Sequence, residues 1–271
     1  MSAQPDSGAT RGTGGAPADR AVVAGSTLEK GLAIAQFVAE RGEVSAAQVV
    51  DAFGLSRSAT YRLMDRLRAS GHLQDGLAPG CYRLGPKMVA IGLAALNQLD
   101  LMHVAPPLIA SLALRAGETV NLAVPDGDEM VYVFQQDGPG AVKVTARLGT
   151  RRPMNCTSLG KAVLAALPPA ECEALLASMT YVRLTPRSLL TADDLRAEVD
   201  RTRERGYALD DLEVEDGVSC VGAAVLDARG RPVAAISVAG PAERMPGKRA
   251  DVVPDLIATA LSISSRLGYS A

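Results

Sequence analysis

The stretch that decides the fold is Leu55-Ser56-Arg57-Ser58-Ala59-Thr60-Tyr61-Arg62-Leu63-Met64-Asp65-Arg66-Leu67-Arg68-Ala69-Ser70-Gly71. At the helical period Thr60, Leu63, Met64 and Leu67 fall at i, i+3, i+4 and i+7, so one narrow stripe packs inward. Ser58, Tyr61, Arg62 and Asp65 form a second such row, flanked by Arg57 and Arg66. Ser56 is placed to cap the start and Gly71 to stop the end. Guanidinium forks and short polar side chains on one exposed face suit the major groove of a duplex, where Arg reads guanine edges and neutralises phosphate. Alone, the same pattern also describes an ordinary amphipathic surface helix.

The flanking sequence separates the two readings. Upstream, Ser26 caps a helix over Thr27–Arg41 that Gly42 ends. Ser45 caps a short helix over Ser45–Ala52, and Phe53-Gly54-Leu55 makes a tight turn into the third. Three helices with such short connections form a helix-turn-helix. Downstream, His72-Leu73-Gln74 and Cys81-Tyr82-Arg83-Leu84 read as two brief strands around a turn over Asp75–Gly80, which adds a wing. The expected DNA-contacting set is Ser56, Arg57, Ser58, Thr60, Tyr61, Arg62 and Arg66.

The chain has 271 residues, enough for two compact domains, with 48% apolar residues and mean hydropathy near zero. It contains no apolar run of the ~20 residues that a membrane helix needs, and its start lacks the regions of a signal peptide. A cytoplasmic protein with no membrane partner is expected. Cys81, Cys156, Cys172 and Cys220 are scattered without a CxxC, and with two histidines they give no zinc-ligand spacing, so no metal and no cofactor is expected and the thiols should be free. Net charge is −2 overall. It divides unevenly: residues 26–90 hold eight Lys or Arg against six Asp or Glu, and residues 91–271 hold 18 against 22. The small basic excess lies where DNA binding needs it.

Four segments are expected in order: a disordered tail over 1–25, a winged helix-turn-helix over 26–85, a linker helix over 86–103 and an α+β sheet domain over 104–271. In the last, a helix over Pro107–Ala116 precedes strands over Glu118–Val124 and Glu129–Gln136. A third strand is expected over Val142–Arg147. Helices follow over Leu159–Leu167, Ala170–Met179 and Ala192–Arg205, strands over Ala208–Val214, Ser219–Leu226 and Val233–Val238, and a last helix over Val252–Leu267. The linker helix carries a wide apolar face and is a candidate dimer contact.

Two stretches of the second domain could carry chemistry. Pro153-Met154-Asn155-Cys156-Thr157-Ser158-Leu159-Gly160-Lys161-Ala162 drops from coil into helix through hydroxyl residues, and free N–H groups at such a start suit a carboxylate or phosphate as well as plain capping. Gly160-Lys161 is no phosphate loop, because Asn155 and Ala162 stand where glycine and Ser or Thr are required. Ser158-Leu159-Gly160-Lys161 matches the S-x-x-K of serine penicillin-binding enzymes but lacks the S-D-N and K-T-G partners, so a serine amidase is a distant alternative. In Asp210-Asp211-Leu212-Glu213-Val214-Glu215, strand alternation turns Asp210 inward with Leu212 and Val214 and turns Asp211, Glu213 and Glu215 outward.

Taken in order, Leu55-Ser56, Thr60-Tyr61-Arg62-Leu63, Leu67, Gly71, Tyr82-Arg83-Leu84-Gly85, Leu159-Gly160-Lys161-Ala162, Gly206-Tyr207, Glu213 and Gly217-Val218 resemble the isocitrate lyase regulator (IclR) family of bacterial transcription factors. The resemblance runs from about Ser26 to the end. It implies a winged helix-turn-helix joined by a linker helix to an effector-binding domain of GAF-like mixed α/β fold, acting as a homodimer or homotetramer on palindromic double-stranded operators as a repressor or activator, not as an enzyme. It also implies a small effector, often a carboxylate, held by the helix start at Ser158 and Leu159 and by Asp210, Cys220 and Ser237. The chain departs from the family at Asn155, where histidine is common, at Ala224, where proline is frequent, and at Ala239, where a serine is sometimes present. A pocket with fewer hydroxyls favours a more apolar acid.

Overall fold

A computed structural model describes residues 26–97, 100–140 and 147–270. The chain divides near residue 94 into two units. In the first, helix α1 (Thr27–Arg41) opens with a capping box. The Ser26 hydroxyl accepts the Glu29 N–H while Glu29 accepts the Ser26 N–H. Ser45 and Gln48 repeat the device at α2 (Ala46–Phe53), and the Ser56 hydroxyl accepts from Ala59 at α3 (Arg57–Ala69). Strands β1 (Val44–Ser45), β2 (Leu73–Asp75) and β3 (Cys81–Leu84) form a small antiparallel sheet in the order β1-β3-β2. Ile34, Val38, Val49, Met64 and Leu73 fill the core between helices and sheet. Arg68 of α3 pairs with Asp75 of β2 at 3.1 Å, which ties the wing to the third helix.

Helix α4 (Pro86–Asn97) is apolar in composition, yet Val89, Ile91 and Leu93 are all exposed.

In the second unit, helix α5 (Asp100–Ala116) begins well before Pro107, where the sequence places a breaker. Burial of Leu101, Ala105, Ile109 and Leu112 along one face outweighs the backbone bonds that Pro106 and Pro107 remove. Strands β4 (Thr119–Asp126), β5 (Glu129–Gln136), β6 (Arg151–Pro153), β7 (Ala208–Asp211), β8 (Val218–Leu226) and β9 (Pro232–Pro241) form an antiparallel sheet in the order β6-β5-β4-β9-β8-β7. Of the strand expected over Val142–Arg147, residues 142–146 lie outside the described residues, and Arg147 is not in a strand. One sheet face packs Val120, Leu122, Val221, Ile236 and Val238 against α5 and α9 (Met245–Arg266). The other packs Ala123, Met130, Tyr132 and Ala235 against α6 (Ser158–Ala166), α7 (Pro169–Ser178) and α8 (Ala192–Arg205). Glu118, almost wholly buried, takes both Arg244 (2.7 Å) and Lys248 (2.7 Å), a staple between the start of β4 and the start of α9.

Among the described residues no helix is long and apolar enough to cross a membrane, and no three His, Cys, Asp or Glu side chains are grouped to hold a metal. The four thiols are free.

Candidate functional site

On α3, Thr60 and Met64 are buried and Leu63 and Leu67 half-buried, as the inward stripe requires. Thr60 therefore leaves the DNA-contacting set. It is 0% exposed, because it sits on the stripe that closes against α1 and α2, and its hydroxyl has no outlet. Ser56, Arg57, Ser58, Tyr61, Arg62 and Arg66 are exposed. Their charges differ in kind from that of Arg68, which is paired with Asp65 (3.5 Å) and Asp75 (3.1 Å). Arg57, Arg62 and Arg66 have no carboxylate partner among the described residues, so each keeps its full positive charge for an outside anion. The cations flank α3 on both sides. Arg62 and Arg66 share a cleft of about 310 Å³ with Lys30 of α1, and Arg57 and Tyr61 border α2 beside Val50 and Asp51. Lys30 escaped the sequence reading because its helix presented only a core stripe. Its spacing to Arg62 is set by the way α1 and α3 pack, not by sequence distance.

In the second unit the structure brings the other expected residues to one sheet face. Asp210 pairs in register with Cys220, Cys220 with Ala239, and Gly222 with Ser237, which pairs in turn with Asn121. Their neighbours Val120, Val221, Ile236 and Val238 point to the opposite core, so Asp210, Cys220, Ser237 and Asn121 all face the layer that contains α6. Helix α6 starts directly above them. A Cβ at 222 would lie 2.7 Å from the Ser158 carbonyl oxygen, so glycine there lets the helix start sit this close to the strand, and one at 160 would lie 2.4 Å from the Met154 Cα, so glycine there lets the segment before the helix fold back against its first turn. The Thr157 hydroxyl caps α6 by accepting the Gly160 N–H at 2.9 Å. The N–H groups of Ser158 and Leu159 are left without a partner among the described residues, with both side chains buried.

Alternation fails at one acid. The left-handed φ of 66° at Leu212 ends the strand at Asp211 and swings Glu213 back inside, where it is 8% exposed, so Asp210 is not the one inward carboxylate. Glu213 meets Lys161, itself 0% exposed, at 2.5 Å, and the same ammonium donates to the Leu209 carbonyl at 2.8 Å. The Lys161 ammonium is thus taken up by Glu213 and the Leu209 carbonyl, and among the described residues no hydrogen bond joins it to the Ser158 hydroxyl as an S-x-x-K hydrolase dyad would require. Burial raises the Asp210 carboxyl to about 6, against the pull of the Glu213 N–H that it accepts at 2.8 Å and of Lys161. Burial also raises Glu213 to about 7 despite the ammonium beside it. The Cys220 thiol is pushed well above its ordinary value by burial and by the neighbouring Asp210. Asn155, at the family's histidine position, is structural here: its amide donates to the carbonyls of Val182 (3.0 Å) and Leu189 (2.7 Å).

Comparison with known proteins agrees with both halves. Residues 27–75 match the IclR helix-turn-helix domain, and residues 93–265 match the bacterial transcriptional regulator IclR C-terminal domain. The HTH-type transcriptional repressor AllR of Salmonella typhi is 33% identical over 95% of this chain and 96% of its own. The HTH-type transcriptional regulator XynR of Escherichia coli K12 is 33% identical over 90% of this chain and 98% of its own. The crystal structure of the Thermotoga maritima IclR superposes with a TM-score of 0.70 at 31% identity, covering 90% of this chain and 99% of that one. The chain is a DNA-binding regulator rather than an enzyme, and it belongs to the IclR family of bacterial transcriptional regulators.

Proposed function

We propose that this regulator grips a palindromic operator through α3 and that a small organic acid, bound at the start of α6, sets how firmly it does so. The observation that carries the reading is the pairing of two unlike anion sites. One is open: unpaired Arg57, Arg62 and Arg66 with Lys30 beside them, suited to a polyanionic duplex. The other is enclosed: two N–H groups without a partner among the described residues, at a buried helix start on the sheet face of Asp210, Cys220 and Ser237, a setting that suits a small anion rather than a duplex. Arg57, Ser58, Tyr61 and Arg62 are assigned to base edges or phosphates, and Ser56 and Arg66 to supporting contacts.

The protein acts as a homodimer or a pair of dimers. The exposed apolar side chains of α4 support this, as does an open apolar groove of about 550 Å³ lined by Leu28, Leu32, Leu63, Leu67 and Met88. A ligand changes operator affinity only by favouring one dimer geometry over another, which alters the spacing of two α3 helices that must meet half-sites about 34 Å apart. The region served is a catabolic or metabolic operon. Footprinting on the DNA upstream of the protein's own gene, at fixed salt, should protect two inverted half-sites about one helical turn apart. Uniform, unordered protection would reject the reading.

A further inference from the structure

Asn121 is out of keeping with its surroundings. It sits in the valine-rich centre of β4, between Val120 and Leu122, where asparagine is disfavoured. It is 3% exposed, and its side-chain Oδ1 has no hydrogen-bond partner. Buried polar atoms are almost always paired, and a lone one is costly. Its two neighbours belong to the α5 and α9 core, so its own side chain lies on the other face, in one register row with Ser237 and Gly222. Gly222 is the position over which the start of α6 closes. At the usual strand spacing Asn121 is therefore two strands, roughly 10 Å, across the same floor from the free N–H groups of Ser158 and Leu159.

Two protein donors flank it on that row, and neither serves it: the Gln135 amide, paired in register with Asn121, donates to Asp137 at 2.9 Å, and the Ser237 hydroxyl on the other side makes no hydrogen bond to Oδ1. A carbonyl oxygen can only accept, so its partner must bring a proton. We propose that Asn121 is a ligand-contacting residue of the effector pocket, and that the effector is an acid which also carries a hydroxyl or amide N–H, donated to Asn121 Oδ1. The inference rests on the acid-binding reading above. It adds the second functional group of the ligand and the residue that selects it.

The test uses the full-length protein and three matched pairs of acids, glycolate and acetate, lactate and propionate, 4-hydroxybenzoate and benzoate, titrated by calorimetry. In the wild type at least one hydroxy acid should bind about tenfold or more tightly than its partner without the hydroxyl, the discrimination expected when a lone buried acceptor is satisfied. In Asn121→Leu that ratio should fall to near one while the acid still binds. Asn121→Ala serves if the leucine variant does not fold. A ratio unchanged in the variants, equal binding of both members of every pair to the wild type, or equal loss of both members in the variants overturns the assignment of Asn121 while leaving the acid site standing. Failure of all six acids to bind the wild type overturns the acid-binding reading, and this inference with it.

Discussion

Helices α3 and α6 begin alike and end in opposite environments. Each leaves coil through a hydroxyl cap, Ser56 or Thr157, and each offers unfilled backbone donors at its start. On α3 only Thr60 and Met64 are buried, so three guanidiniums remain in water and uncompensated. On α6 every residue from Ser158 to Leu164 is buried, and its one cation is locked to Glu213. The same local pattern thus makes a site for a long, exposed polyanion in one case and for a small, enclosed anion in the other. What differs is the layer that covers each helix.

The comparison is broken most severely at Lys161. Lys161→Met leaves Glu213 buried without its ion-pair partner and should destabilise the second unit by about 3–5 kcal/mol, measured by chemical denaturation. Joint replacement of both residues by apolar ones should recover much of the loss. If the single variant is as stable as the wild type, the buried pair is not what holds α6 over the strand.

Asp210 gives the next effect, with the opposite sign. Its folded value of about 6 lies above the ordinary 3.8, so its stabilising contribution is present below 3.8 and is lost as pH rises through about 6. Two units correspond to a penalty of up to about 3 kcal/mol at pH 7.5. Asp210→Asn still accepts the Glu213 N–H and should melt higher than the wild type at pH 7.5, with the gap closing towards pH 4. A gap that is widest at pH 4 would contradict the burial argument.

On α3 the effects should be on binding, not on folding. Arg62→Ala should weaken specific duplex binding by about 1–3 kcal/mol, read by fluorescence anisotropy, with melting unchanged. The smallest effects separate the two caps. Thr157→Ala removes a buried 2.9 Å bond and should cost about 1–2 kcal/mol, whereas Ser56→Ala removes an exposed 3.3 Å bond and should cost about 0.5–1 kcal/mol. Equal costs would mean that burial does not distinguish the two helix starts.

Much of this was legible in the chain. Helices α1, α3 and α8 and strands β3 and β5 follow from period and punctuation, because each has enough residues to show them. Strands β1 and β6, two and three residues long, show no alternation to read. The starts of α5 and α9 were masked by prolines that tertiary burial tolerates. In the candidate site, Asp210 was readable from strand alternation alone. Glu213 was not, since one left-handed residue at Leu212 inverts the parity that follows it. Lys30 and Asn121 matter only through what packing places beside them, although an asparagine amid valines in β4 is a local signal that could have been followed.

The most direct test of the account is the affinity of the purified protein for its own upstream duplex at fixed ionic strength, with and without a saturating small acid, beside a scrambled duplex of equal length. The account predicts preference for the upstream duplex and a shift of at least several-fold on adding an acid that binds, absent on the scrambled duplex. Equal affinity for both duplexes, unmoved by any acid, would contradict it.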